Sequence, residues 1–99
     1  MKINKNDFQV LWCLEEGYDA PEAIYSSVDP SLDLSVEEIK IILKKLEALN
    51  LVKVKIYWDD GYKEETWTVE LTEKAKEDYI RKAAVYSDWM PKSYLDTFP

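Results

Sequence analysis

Ninety-nine residues suffice for one domain but not for two, and a hydrophobic share of 46% lets such a chain bury a core without disulfides or metals. Thirteen basic against twenty acidic residues leave a net charge of −7, with no histidine and a single arginine, Arg81. An acidic total opposes binding to a phosphate backbone unless the basic residues gather on one face.

No run approaches the roughly 18–20 apolar residues of a membrane span, and MKINKNDFQV lacks the apolar stretch of a signal peptide. Cys13, the only cysteine, lies among Leu11, Trp12 and Leu14 and reads as a buried thiol in a reducing compartment. A soluble, cytoplasmic protein is expected.

The first helix is expected to start at Asn6, with Gln9 reaching back to complete the cap. Phe8, Val10, Leu11, Trp12, Cys13 and Leu14 make it apolar almost all round, so it belongs beneath the other helices. Gly17 supplies the left-handed residue that ends it. A short second helix opens at Asp19, with Pro21 in its first turn and Glu22 completing a capping pattern. Ile24 and Val28 face inward, and Asp29-Pro30 stops it. The third helix carries a capping box, Ser35 with Glu38, and a staple from Leu34 to Ile39. Val36, Ile39, Ile42, Leu43, Leu46 and Leu49 form its inward stripe, and Asn50 takes the place of a C-terminal glycine.

The hydrophobic period then falls from helical to two. Val52, Val54, Ile56 and Trp58 alternate with Lys53, Lys55 and Tyr57, and Trp67, Val69 and Leu71 alternate on the return. Asp60-Gly61 between them is a hairpin signal. A two-residue turn there sets Val54 opposite Trp67 and Val52 opposite Val69, with both apolar sets on one face. Thr72 caps a last helix to about Tyr86, with Ala75, Tyr79, Ala83 and Tyr86 on one side. Residues 1–86 thus form one domain. Residues 87–99 are a tail with Trp89, Met90, Tyr94, Leu95 and Phe98, either folded over the core or placed at a dimer contact.

Leu46-Glu47-Ala48-Leu49-Asn50-Leu51-Val52 at the end of the third helix, and Leu71-Thr72-Glu73-Lys74 at the entry to the last, carry a family resemblance. Together with the element order, they resemble the winged helix-turn-helix transcription regulators of the broad MarR-like and PadR-like kind. Asn50 and Ala75 depart from that pattern, where glycine is common. The resemblance covers roughly residues 6 to 86. It implies an α+β fold, mostly α: three helices, a two-stranded wing hairpin and a C-terminal helix. It further implies that the third helix is the recognition helix, that residues 53–65 are the wing, and that two chains pair.

The outward face of the third helix holds Glu37, Lys40, Ile41, Lys44, Lys45 and Ala48, with Ile41 nearly opposite the core stripe. In a DNA reader, Ile41 meets a thymine methyl, and Lys40, Lys44 and Lys45, with Lys53 and Lys55 of the wing, neutralise phosphates. In a protein-binding domain Ile41 is an apolar anchor, and a lone exposed isoleucine is also ordinary on any surface. Residues 35–50 set three lysines against three glutamates, and residues 53–65 set three lysines against Asp59, Asp60, Glu64 and Glu65. Neither segment has an arginine for bidentate contact with guanine.

Catalysis finds no support. Cys13 and the serines lack a histidine base, and Glu15-Glu16, Glu37-Glu38 and Glu64-Glu65 read as solvated surface. The run from Asp29 to Lys40 resembles a calcium loop until Leu34 stands at its glycine position and Lys40 at its glutamate position. Two glycines cannot build a phosphate-binding loop. The expected function is DNA-binding transcription regulation by a homodimer without catalytic residues, cofactor or metal; the alternative is a winged helix that contacts protein.

Overall fold

The computed structural model describes residues 3–90. It is an α+β arrangement in which helices precede a two-stranded antiparallel hairpin: α1 (Lys5–Glu15), α2 (Pro21–Ser27), α3 (Val36–Ala48), β1 (Val52–Asp59), β2 (Glu64–Leu71) and a short α4 (Glu73–Ala75). Among the described residues, no helix is long and apolar enough to cross a membrane.

Helix α1 is the centre of the core. Phe8, Val10, Leu11, Trp12 and Cys13 are all buried along it. Its cap differs from the expected one: Asn4 accepts from the Asp7 N–H at 3.0 Å, and the Asp7 carboxylate accepts from the Asn4 N–H at 3.1 Å. Gln9, expected in the cap, is fully buried instead, and its Oε1 accepts from the Asp29 N–H at 3.3 Å. Gly17, at φ 103°, closes the helix: its N–H donates to the Leu14 carbonyl at 3.1 Å and the Tyr18 N–H to the Cys13 carbonyl at 3.0 Å, a pair of hydrogen bonds that satisfies two of the last carbonyls. Helix α2 starts at Pro21 without a side-chain cap. Asp19 does not cap it: the extended residue at the helix start is Ala20, and the Asp19 carbonyl accepts from the Val69 N–H of β2 at 2.9 Å.

Helix α3 has the expected capping box: the Glu38 N–H donates to Ser35 Oγ at 3.1 Å. Ile39, Leu43 and Leu46 are fully buried on its inner side. Asn50 takes the left-handed conformation at φ 61°, and Leu51 N–H reaches the Leu46 carbonyl at 2.9 Å.

The hairpin register is Val52 with Leu71, Val54 with Val69, Ile56 with Trp67 and Trp58 with Glu65. That is two residues away from the expected pairing. The turn spans four residues, because Asp59 Oδ1 accepts from the N–H groups of Gly61 and Tyr62 at 2.9 and 3.2 Å and Lys63 supplies the left-handed residue at φ 52°. A two-residue turn of the Asp-Gly type needs positive φ at both central residues, and Gly61 does not adopt it. A slip of two preserves which face each side chain occupies. Val52, Val69 and Trp67 therefore still enter the core.

The last helix is shorter than expected. Thr72 caps it by accepting from the Ala75 N–H at 3.2 Å and donates to the Asn50 carbonyl at 2.7 Å, which ties it to the end of α3. Regular α-helical bonding ends at Ala75. A π-helical turn over Lys76–Ile80 follows, with Arg81 N–H bonded to the Lys76 carbonyl at 2.8 Å, and then tighter three-residue turns run to Tyr86. Aromatic packing replaces the regular ladder there: Tyr86 lies 5.2 Å from the Phe8 ring and Trp89 5.9 Å from it. Met90 is buried. Of the tail, Tyr94, Leu95 and Phe98 lie outside the described residues.

Candidate functional site

The site suggested by the sequence is the outer face of α3 with the hairpin. Because α3 advances 100° per residue, its outer residues divide into two rows. Glu38, Ile41 and Lys45 lean towards the start of α1. Lys40, Lys44 and Glu47 lean towards the hairpin.

The first row is occupied by structure. Lys45 Nζ forms an ion pair with Asp7 Oδ2, and the Asp7 side chain is only 2% exposed. A buried carboxylate demands a counter-charge, so much of the Lys45 charge is spent within the domain. Ile41, by contrast, is 69% exposed. With Leu34, Ile42, Glu38 and Asn4 it lines a shallow groove between α3 and the first turn of α1.

The second row is also paired. Lys40 lies 3.7 Å from Glu37 and 5.5 Å from the centre of the Trp67 ring. Its side chain is mostly covered, packed against the hairpin. Lys44 donates to Glu47 Oε1 at 2.9 Å. That hydrogen bond is the main reason the Glu47 carboxyl is held below its usual range, with a smaller contribution from the Val54 N–H. The three helix lysines therefore do not form one positive stripe; each has its own carboxylate.

On the hairpin, Lys53 and Lys55 are exposed on one face of β1. The far half is apolar and largely aromatic: Ile56, Tyr57, Trp58 and Tyr62 are all exposed. Asp59, Asp60, Glu64 and Glu65 surround them at the tip. The Cys13 thiol is pushed up to about 12, chiefly by burial and secondarily by Glu16, so it carries no thiolate at neutral pH.

The chain has no match among protein-family models, curated proteins or solved structures. Function therefore has to be read from this surface alone.

All seven residues singled out in the sequence lie on α3 or β1, and six of the seven are well exposed. Lys40 is the exception. Sequence reasoning missed Asp7 and Glu47 as lysine partners, and it missed the exposed aromatic end of the hairpin. The Asn4-x-x-Asp7 spacing is itself a capping signal, and placing the cap there would have drawn attention to a buried carboxylate.

Proposed function

We propose that this chain is a winged helix whose third helix and wing contact protein rather than duplex DNA. The observation that carries the reading is the pairing of Lys40, Lys44 and Lys45 with Glu37, Glu47 and Asp7. A helix that reads DNA offers its cations to phosphates, and each contact releases a counterion. Here each cation already has a carboxylate beside it, and the most exposed large apolar side chain of the helix is Ile41. An exposed apolar anchor among compensated charges suits a protein interface, in which a few buried side chains carry the affinity. The acidic, aromatic wing tip supports the same reading, because it repels a phosphate backbone. The resemblance of the helix-end and post-wing motifs to winged helix-turn-helix regulators supports the fold assignment.

Transcription regulation through DNA is the second reading. Lys53 and Lys55 favour it, since neither forms an ion pair among the described residues.

A photo-crosslinking residue at position 41, with illumination in the native cell, separates the two. The proposal expects protein adducts that are lost when Leu34→Asp is added to the neighbouring groove. Nucleic-acid adducts at position 41 overturn it. So does retention of purified duplex that falls with salt at a slope of about −0.9 for each contact and flattens on Lys53→Gln with Lys55→Gln.

A further inference from the structure

The outer edge of β1 has no strand beside it among the described residues, and its hydrogen-bonding direction is fixed by the hairpin. Val69 donates its N–H to Asp19, away from β1. In an antiparallel pair, two directly opposite residues either both face each other or both face away. Val69 is opposite Val54, so Val54 presents its N–H and C=O outward. By alternation, Val52, Ile56 and Trp58 do the same. The approach of the Glu47 carboxylate to the Val54 N–H agrees with this direction. Beyond Val54 the edge is open among the described residues, and Ile56, Tyr57 and Trp58 are 43%, 52% and 60% exposed.

Edge strands of this kind are usually blocked by lysine, and β1 carries two. The strand nevertheless complements itself. We infer that β1 is a docking edge for a second copy of this chain, paired antiparallel about a two-fold axis at Ile56 to make one four-stranded sheet.

In that register, Ile56 faces the partner's Ile56, and Val54 faces the partner's Trp58, with hydrogen bonds exchanged at each of these pairs. Lys53 faces the partner's Asp59, and Lys55 faces the partner's Tyr57. Those two fall at the non-hydrogen-bonded positions, where opposed side chains come closest and where opposite charges or aromatic contacts stabilise a sheet. The symmetry doubles every contact except the Ile56 pair on the axis. Neighbouring registers are poorer. Centring on Lys55 sets Lys55 against its own copy, and centring on Val54 sets Lys53 against the partner's Lys55. Centring on Tyr57 keeps one charge pair, Lys55 with the partner's Asp59, but shortens the overlap and moves Lys53 opposite the turn residue Gly61. The lysines and the length of overlap together set the register, and the lysines do not block the edge. The Glu47 side chain, which lies near the Val54 N–H, turns aside on pairing and keeps its bond to Lys44. The inference stands on the hairpin alone and does not depend on what α3 contacts.

Sedimentation equilibrium of the full chain tests it, together with three single-cysteine variants under mild oxidation. Wild type is expected to dimerise, and Ile56→Lys or Lys53→Glu to raise the dissociation constant at least tenfold. Ile56→Cys is expected to form a symmetric disulfide several times faster than Lys55→Cys or Tyr57→Cys, because Cys13 is buried and silent. The cross-linking ratio decides the matter should a charge variant fail to fold. A monomer at every concentration overturns the inference. A dimer indifferent to Ile56→Lys but lost on deletion of residues 88–99 also overturns it, as does a faster cross-link at position 55 or 57.

Discussion

The ammonium of Lys45, on the outer side of α3, is held by the buried carboxylate of Asp7 in the first turn of α1. The same carboxylate accepts from the Asn4 N–H at 3.1 Å, so one side chain closes the α1 cap and pins α3 to it. A lysine that looks like a ligand contact in the sequence is here part of the scaffold.

The adjacent lysines Lys44 and Lys45 should accordingly behave differently. Lys45→Gln leaves a desolvated carboxylate short of a partner and is expected to cost about 1–3 kcal/mol. Lys44→Gln breaks an exposed pair and is expected to cost clearly less. Urea unfolding of both variants measures the difference, and equal costs would remove Lys45 from the scaffold.

The hairpin turn offers a gain. Lys63 sits at φ 52°, where a side chain crowds its own backbone and glycine does not. Relief of roughly 1–2 kcal/mol of left-handed strain outweighs roughly 0.5–1 kcal/mol of added chain entropy, so Lys63→Gly is expected to stabilise the domain slightly, whereas Lys63→Val should destabilise it. A loss of stability on Lys63→Gly would contradict the four-residue turn.

The start of the tail belongs to the core. Met90 is 5% exposed, and Trp89 stacks on Tyr86 with ring centres 5.2 Å apart. Met90→Ala is expected to cost roughly 2–5 kcal/mol, as for other buried large-to-small changes. Thermal melts read it directly, and a melting temperature unchanged by Met90→Ala would place this residue outside the cooperative unit.

Cys13 makes a pH prediction whose sign is fixed. Its thiol rises from 9.0 to about 12 in the fold, so the folded state binds the proton more tightly than the unfolded chain. The stabilisation is complete below the unfolded value and is lost as pH climbs from about 9 towards 12. Native protein should resist thiol alkylation at pH 8. Between pH 9 and 11, wild type should lose stability faster than Cys13→Ala, by at most about 1.4 kcal/mol for each pH unit. Parallel curves for the two proteins would show that burial does not hold the proton.

The sequence by itself determined the features set within a few residues of one another. Ser35 with Glu38, Asn50 and Gly17 mark helix ends because a cap is a contact between near neighbours in the chain. The change from helical to alternating periodicity at Val52 marks the hairpin because the face of a strand depends only on parity. The same parity explains why the apolar face was legible while the register was not, since a slip of two residues leaves every side chain where it was.

Tertiary structure decided the rest. The turn is the local exception: Asp59 reaches only two and three residues ahead, yet its four-residue turn, and with it the register, shows only in the folded hairpin, since Asp60-Gly61 by itself suggests a two-residue one. The aromatic cluster on Phe8 replaced a regular helix after Ala75 with wider and tighter turns. Lys45 found Asp7 across 38 residues of chain, and whether a lysine is free for a ligand depends on such a partner. No pattern local to α3 contains that information, because the attraction between two charges depends on their distance in space and their shared burial, which only the packed chain defines.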